Sequence, residues 1–167
     1  MYDELTKDDL RQMQEELEHR RCVLRPKLLE EVKTARAFGD LSENFEYKAA
    51  KQEKNQNERR IRYLENMIKT AKVISTDSAP DSVGMFDRVT VWFDEDEEED
   101  TFQIVTTVKE DALNNLISQV SPVGKALMGH KVGDTVSVQL KDGTCYPLTI
   151  RAIEKCEDDG SIHISSF

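Results

Sequence analysis

Two carboxylates that could bind a metal ion, Asp40 and Glu43, lie three residues apart. The stretch that contains them, residues 35–50, reads Ala-Arg-Ala-Phe-Gly-Asp-Leu-Ser-Glu-Asn-Phe-Glu-Tyr-Lys-Ala-Ala. Mg²⁺ binds proteins through one or two carboxylates and keeps several of its waters. The same spacing suits a helix start, with Asp40 as the N-cap and Glu43 as the third helical residue. Spacing alone favours the cap, and the two roles are compatible.

Two helix-patterned segments flank these acids, and Gly39 separates them as a helix stop. Pro26 falls inside the first segment and predicts a local loosening, because proline removes one backbone hydrogen bond. The second helix is predicted to restart within residues 40–42. Apolar residues recur in the first segment at spacings of three, four and seven and in the second at three and four: Leu10, Met13, Leu17, Leu24, Leu28, Val32, Ala35, Ile61, Leu64, Ile68 and Ala71. The pattern predicts a helical hairpin with the acids at its tip.

Residues 51–60 of the second helix contain no apolar side chain. A helix that is polar on all sides cannot be packed inside a globule. We therefore expect this part to project into solvent or into a partner. Each helix has roughly 30 residues, so at about 1.5 Å per residue the hairpin reaches on the order of 45 Å.

The second half of the chain is rich in strand patterns. Residues 86–93 and 101–108 are strand-like. The seven consecutive acids between them, residues 94–100, are predicted to form a solvated hairpin loop rather than a cation site, because like charges repel.

A second strand hairpin is predicted from residues 134–140 and 144–153, with Asp142-Gly143 as its turn. Pro147 has no backbone N–H to donate to a sheet. It therefore predicts that the last strand is an edge strand or is bulged.

Ser121-Pro122 is a helix-start pair, an N-cap followed by the first helical residue, and predicts a short helix over Val123–Met128. Residues 76–82, Thr-Asp-Ser-Ala-Pro-Asp-Ser, have the composition of a linker. The chain is therefore predicted to have two parts.

The net charge of −10 is divided unevenly between these parts. Residues 1–75 carry 16 basic and 15 acidic side chains, whereas residues 76–167 carry 7 and 18. Phosphate binding requires Lys and Arg to displace counterions. Any contact with nucleic acid is therefore expected from the first part.

Cysteine and histidine spacing gives no reason to assign a disulfide or a zinc site. The three cysteines are scattered and odd in number, which fits free thiols in a reducing cytoplasm. No apolar run approaches the length of about 20 residues that spans a bilayer. The first four residues, Met-Tyr-Asp-Glu, are acidic rather than a basic signal region, so we expect a cytoplasmic protein.

Two stretches of this chain resemble the signatures of the bacterial Gre factors, GreA and GreB. The first is residues 35–50, given above. The second is residues 117–134, Ile-Ser-Gln-Val-Ser-Pro-Val-Gly-Lys-Ala-Leu-Met-Gly-His-Lys-Val-Gly-Asp. Arg25-Pro26 and Val73-Ile74 match as well. The resemblance covers nearly the whole chain in the right order, and it favours a metal role for the tip acids.

The resemblance implies an α+β fold with an N-terminal antiparallel coiled-coil hairpin and an FKBP-like β-rich C-terminal domain. On this basis residues 1–75 form the hairpin, with its acidic tip near residues 38–47. Residues 76–82 are the linker, and residues 83–167 form the domain that docks on polymerase.

The resemblance also implies a function, the rescue of bacterial RNA polymerase that has backtracked. The hairpin would enter the secondary channel, where the extruded RNA 3′ end lies, and the polymerase's own active centre would cleave that RNA. The factor has no active site of its own. Asp40 and Glu43 would help hold a Mg²⁺ ion shared with the polymerase, and no cofactor is expected in isolation. We expect a monomer.

Other residues receive roles from the same resemblance. Asn44 and Tyr47 would position the tip or contact the channel, and the alternative is that they only brace the turn. Ser121 and Pro122 are the candidate contact with the rim of the secondary channel.

Lys48, Lys51 and Lys54 would face the extruded RNA, and the alternative is a plain solvated face. Arg59, Arg60 and Arg62 continue the basic run, and no aromatic residue interleaves it, which argues against base-specific reading. Phe38 and Phe45 flank the tip where the family would place a polar and a small residue. They are expected to stack on each other or to touch the channel wall.

Two alternative functions stay open. One is a regulator that occupies the same channel without stimulating cleavage, against which the intact Asp40 and Glu43 count. The other is a prolyl isomerase, suggested by the implied FKBP-like fold, although a fold does not carry a function.

Overall fold

The computed structural model describes residues 3–39, 43–158 and 160–165. The chain divides into two compact units. Among the described residues, one unit contains Asp3 and Asp8–Lys72, and the other contains Glu4–Lys7 and the chain from Val73 to Ser165. No helix of the described residues is long and apolar enough to cross a membrane.

The first unit is a hairpin of long helices. Helix α1 spans Lys7–His19, a π-helical segment follows at Arg20–Leu24, and helix α2 spans Arg25–Arg36. Helix α3, Phe45–Thr70, forms the returning arm. The first arm buries apolar side chains on both sides of the π segment, and α3 contributes two more. They are Met13 and Leu17 before the segment, Leu28, Val32 and Ala35 after it, and Ile61 and Leu64 on α3.

The π-helical segment is the loosening that Pro26 predicts. The Arg25 N–H donates to the Arg20 carbonyl, five residues earlier, instead of to the residue four earlier. Proline cannot donate, and its ring crowds the carbonyl four residues before it. The wider π turn directly before Pro26 is therefore a local solution that keeps the arm helical.

Two polar residues inside the stretch 51–60 are buried, so the expectation that this whole stretch projects outward is wrong. Asn57 is 3% exposed and Arg60 is 4% exposed. Arg60 donates to both carboxylate oxygens of Glu16, over 2.9 and 3.1 Å. Arg20 donates to Glu16 over 2.8 Å and to the Asn57 side-chain oxygen over 2.9 Å. Buried polar groups are tolerated when such partners satisfy them.

This polar layer changes the titration of its acid. Burial raises the pKa of Glu16, but hydrogen bonds from Arg60 and Arg20 outweigh it, and the net pKa lies below the ordinary value. Glu16 is therefore ionised at neutral pH. The layer fixes the alignment of the arms at one level, since only one register pairs these three side chains.

The second unit contains a five-stranded sheet with strand order β5-β4-β3-β7-β6. All pairs are antiparallel except β4 with β5. The short strands β1 and β2 form a separate two-stranded sheet. The strands are β1 Glu4–Leu5, β2 Lys72–Val73, β3 Arg88–Phe93, β4 Glu98–Val105, β5 Leu116–Ser118, β6 Thr135–Gln139 and β7 Cys145–Glu154.

One face of the large sheet and the short helix α4, Pro122–Leu127, enclose the core of this unit. Two 3₁₀ turns, Thr107–Lys109 and Ala112–Asn114, connect β4 to β5. The buried side chains alternate along the strands, as expected for a sheet with one covered face: Val89, Val91, Ile104, Val136, Val138, Leu148 and Ile150.

Two strand-level expectations need correction. The acidic run is not all loop, because β4 begins at Glu98 and only the four residues before it form the turn. Strand β7 is central rather than an edge strand, since β3 and β6 both pair with it. The pairing of β7 with β3 stops at Leu148. Pro147 therefore pairs only with β6, and the N–H that proline lacks is not needed for a hydrogen bond to β3. The other alternative, a bulged strand, is confirmed: the register between β3 and β7 shifts between Thr90 and Val91, which leaves Arg151 as the extra residue of β7.

The α+β class is confirmed, with a helical hairpin followed by a β-rich unit. The short helix at Ser121-Pro122 and the hairpin of β6 and β7 are confirmed as well.

Candidate functional site

Asn44 fastens the tip of the hairpin. Its side-chain oxygen accepts from the Tyr47 backbone N–H over 3.0 Å, which makes it the N-cap of α3. Its side-chain amide donates to the Ala35 carbonyl in the last turn of α2 over 2.7 Å. One side chain thus satisfies a free donor of one helix and a free acceptor of the other.

This cap corrects the predicted start of the second helix. α3 begins at Phe45, not within residues 40–42. Glu43 therefore precedes the N-cap and is not the third helical residue, so the capping interpretation of Glu43 is wrong. Asp40 lies outside the described residues.

The Glu43 side chain is exposed in the turn before α3. Among the residues that the structure describes, it has no hydrogen bond or ion pair. An exposed carboxylate with free oxygens is a ready ligand for a hard cation. The described residues form no group of three or more acidic, histidine or cysteine side chains that could hold a metal ion by themselves.

Tyr47 is braced by cations on α2 and α3. The Arg36 guanidinium lies 5.5 Å from its ring centroid, and the Lys51 ammonium lies 5.9 Å from it. The Arg36 side chain also approaches the phenol oxygen at 3.5 Å, the outer limit of a hydrogen bond. These cations, with the Arg36 hydrogen bond first, hold the pKa of Tyr47 below its ordinary value.

The bracing that the sequence left as an alternative for Asn44 and Tyr47 is thus present. Whether they also contact a channel stays a prediction. Arg36 was missed, although it lies inside residues 35–50, because an arginine in the last turn of a helix is ordinarily explained by the helix dipole alone.

The basic residues of the hairpin fall into two groups. The first group pairs with acids: Arg20 and Arg60 with Glu16, Arg21 with Glu65, and Arg25 with Glu58. Arg60, which the sequence placed in the basic run, belongs here. It cannot reach an RNA strand, since its side chain is buried against Glu16.

The second group, here named the basic stripe, is Lys48, Lys51, Lys54, Arg59 and Arg62. None of the five makes an ion pair with another residue in the described ranges. They line an open groove of about 630 Å³ along α3, together with Gln52, Asn55 and Glu58. Glu58 is the acid in this groove, and a bidentate contact with Arg25 over 2.8 and 3.0 Å occupies its two oxygens. The stripe therefore keeps its positive charge.

Ser121 and Pro122 begin α4 in the second unit. The Ser121 hydroxyl donates to the Ser118 carbonyl over 2.6 Å and accepts from the Gly124 N–H over 3.1 Å. A Cβ on Gly124 would lie 2.1 Å from the Ser118 carbonyl oxygen, so only glycine fits there. The loop is therefore rigid.

Gln119, next to this loop, is buried. The side-chain amide of Gln119 has no hydrogen-bond partner in the described part of the chain.

Comparison with protein families matches both units. A family model described as "Transcription elongation factor, N-terminal" matches residues 4–73. A second, "Transcription elongation factor, GreA/GreB, C-term", matches residues 76–155.

Individual relatives carry the same description. "Transcription elongation factor GreA" of Thermoanaerobacter pseudethanolicus is 46% identical over 140 residues, which are 83% of this chain and 89% of the relative. The protein of that name from Geobacillus kaustophilus is 44% identical with the same coverage. A solved structure, the GreA factor homolog 1 (Gfh1) of Thermus thermophilus, is 27% identical, covers 93% of this chain and all of its own, and has a TM-score of 0.44.

Proposed function

This chain belongs to the GreA/GreB family of transcription elongation factors, and from that premise we propose that it stimulates bacterial RNA polymerase to cleave backtracked RNA. In the cytoplasm, the hairpin enters the secondary channel of the polymerase, and its tip acids act at the polymerase active centre. The observation that carries the proposal is Glu43, an exposed carboxylate that lies at the end of a braced hairpin and has no hydrogen bond or ion pair among the described residues.

The hairpin suits the delivery of a side chain over a long distance. Helix α3 has 26 residues, which correspond to about 39 Å at 1.5 Å per residue. Apolar layers and the Glu16–Arg60 layer hold the two arms together. A rigid arm matters because a catalytic group must be held within a fraction of an ångström of its working position.

The tip residues supply ligands and their alignment. Glu43 directly precedes the Asn44 cap, so the cap fixes the backbone from which its carboxylate projects. Asp40 is proposed as the second acid. A bound Mg²⁺ ion would lower the pKa of an attacking water and stabilise the leaving oxygen. Two carboxylates fit the preference of Mg²⁺ for a few oxygen ligands, with the remaining ligands from the polymerase.

The basic stripe suits a displaced RNA strand beside the hairpin. Lys48, Lys51 and Lys54 make no ion pair within the part of the chain that the structure describes, and phosphates bind such groups with release of counterions. Glu58, the acid that lines the same groove, is already paired with Arg25.

The second unit is proposed to dock at the rim of the channel through Ser121 and Pro122. The rigid turn that they form gives a surface of fixed shape. Docking raises the effective concentration of the tip at the active centre, since the two units are covalently linked.

The test is a stalled, backtracked polymerase with 5′-labelled RNA. Addition of the protein is expected to shorten the transcripts and restart synthesis. Binding to polymerase without shortened transcripts would favour the alternative regulator of the same channel. No effect on transcripts, with turnover of a proline peptide, would favour the isomerase.

A further inference from the structure

We propose that the ring of Phe45 is a stacking platform for a base of single-stranded RNA whose phosphates follow the basic stripe. The chemistry fits any flexible single strand, and the choice of RNA rests on the proposed function.

Phe45 is the first residue of α3 and is 79% exposed. A phenylalanine in this position buries little apolar area within the hairpin. Its exposure is not forced by the cap, because Asn44 alone makes the capping hydrogen bonds.

The ring lies on the same face of α3 as three members of the stripe. Residues 45, 48, 52, 55, 59 and 62 follow one another at steps of three and four, which places Phe45 in one row with Lys48, Arg59 and Arg62, together with the groove-lining Gln52 and Asn55. The Lys48 ammonium lies 5.6 Å from the Phe45 ring centroid. A phosphate partner for Lys48 and a base partner for Phe45 would therefore be neighbours, as they are along a nucleic-acid strand.

A nucleic acid explains the surroundings of the ring better than a protein wall. An apolar wall would match the ring but would leave Lys48, Arg59 and Arg62 without partners. A single strand offers flat π-faces and a line of negative charges together, and aromatic stacking beside basic groups is how proteins bind single strands without reading sequence. Such stacking needs no interleaved aromatic residues farther along the stripe.

The test measures binding of the full-length protein to a fluorescent oligoribonucleotide at low ionic strength, without polymerase. Phe45→Ala is expected to weaken binding about fivefold to tenfold, the lower end of the stacking energies known for single bases. Phe45→Trp should bind at least as well as the wild type, and Phe45→Leu should resemble Phe45→Ala. With an oligomer of abasic residues, all four proteins should bind equally.

Phe38→Ala is the matched control, because Phe38 is also exposed, at 70%, but follows α2, before α3 begins, and lies outside the stripe. It should bind RNA like the wild type. Equal affinities for all variants, the same losses with abasic RNA, or no measurable binding by the wild type would overturn the stacking role.

Failure of the stacking role can be distinguished from failure of the proposed function. If Phe45→Ala and Phe45→Leu both bind RNA as tightly as the wild type, and only Phe45→Ala loses activity on backtracked polymerase, the ring contacts an apolar protein wall and the stacking role is wrong. If the stacking pattern holds while the wild type fails to shorten transcripts, the proposed function fails and the RNA site remains.

Discussion

The side-chain amide of Asn44 donates a 2.7 Å hydrogen bond to the Ala35 carbonyl, across the turn that joins the two arms of the hairpin. The same side chain accepts from the Tyr47 N–H at the start of α3. Asn44 therefore does two separable things: it caps one helix, and it ties that cap to the other helix.

Asn44→Asp and Asn44→Ala separate these two roles. Aspartate keeps the capping acceptor but loses the donor to the Ala35 carbonyl, so the variant should lose about 0.5–1.5 kcal/mol of stability, the net contribution of one hydrogen bond. Alanine loses both, and loss of an N-cap costs about 0.5–2 kcal/mol. If the tie aligns Glu43, both variants should stimulate cleavage less at saturating concentration. Thermal melts and cleavage assays decide; an Asn44→Asp protein with wild-type cleavage would show that the cap alone suffices.

The Glu16–Arg60 layer should dominate the stability of the hairpin. Glu16→Leu leaves a buried guanidinium without its carboxylate and should cost about 3–5 kcal/mol. The double variant Glu16→Leu/Arg60→Leu should recover much of that loss, because two apolar side chains pack where the ion pair lay. Urea unfolding followed by far-UV circular dichroism measures both. A double variant no more stable than the single one would show that the layer contributes more than charge pairing.

Charge removal from the stripe should depend on RNA length. Lys48→Gln/Lys51→Gln/Lys54→Gln should slow rescue of long backtracks more than short ones, since more extruded RNA offers more phosphates to the stripe. The salt dependence of rescue should also flatten. Lys27→Gln/Lys33→Gln/Lys69→Gln is the matched control, because it removes equal charge from exposed lysines outside the stripe. Identical length profiles for both triple variants would leave the stripe as a solubilising surface.

Variants of the docking turn should raise the protein concentration that gives half-maximal cleavage and leave the maximal cleavage rate unchanged. Ser121→Ala removes the cap of α4, and Pro122→Ala removes only the ring at its first helical position. Both should require more protein for half-maximal cleavage, with the same maximal rate, because the tip is untouched. Titration of the factor against a fixed amount of polymerase measures this. A lowered plateau with unchanged half-maximal concentration would place these residues outside the docking contact.

Local patterns in the sequence were enough to predict the hairpin, the cap at Ser121 and the strand pair β6–β7. The sequence signal for each of these lies in residues that are close together in the chain. The buried layer could not be predicted in this way, because Arg60 and Asn57 look like solvent-facing residues until Glu16 and Arg20 of the other arm pair with them.

The tip shows the same limit on a smaller scale. Asp40 and Asn44 are both good capping residues, and the sequence favoured a start near the first. Asn44 is the cap because its side chain accepts from the Tyr47 N–H, and its second contact, with the Ala35 carbonyl, exists only once α2 has ended nearby. Likewise, Glu98–Asp100 look like loop by charge but pair with β3 because strand pairing is a tertiary interaction.

The most direct measurement of the proposed role is the maximal rate of RNA cleavage in backtracked polymerase with saturating wild-type protein, Glu43→Gln and Asp40→Asn. Both substitutions keep the shape of the side chain and remove only its charge. At saturation each should lose nearly all stimulation, while thermal stability and affinity for polymerase stay unchanged. Wild-type cleavage rates from both variants would contradict a metal-binding role for the tip acids.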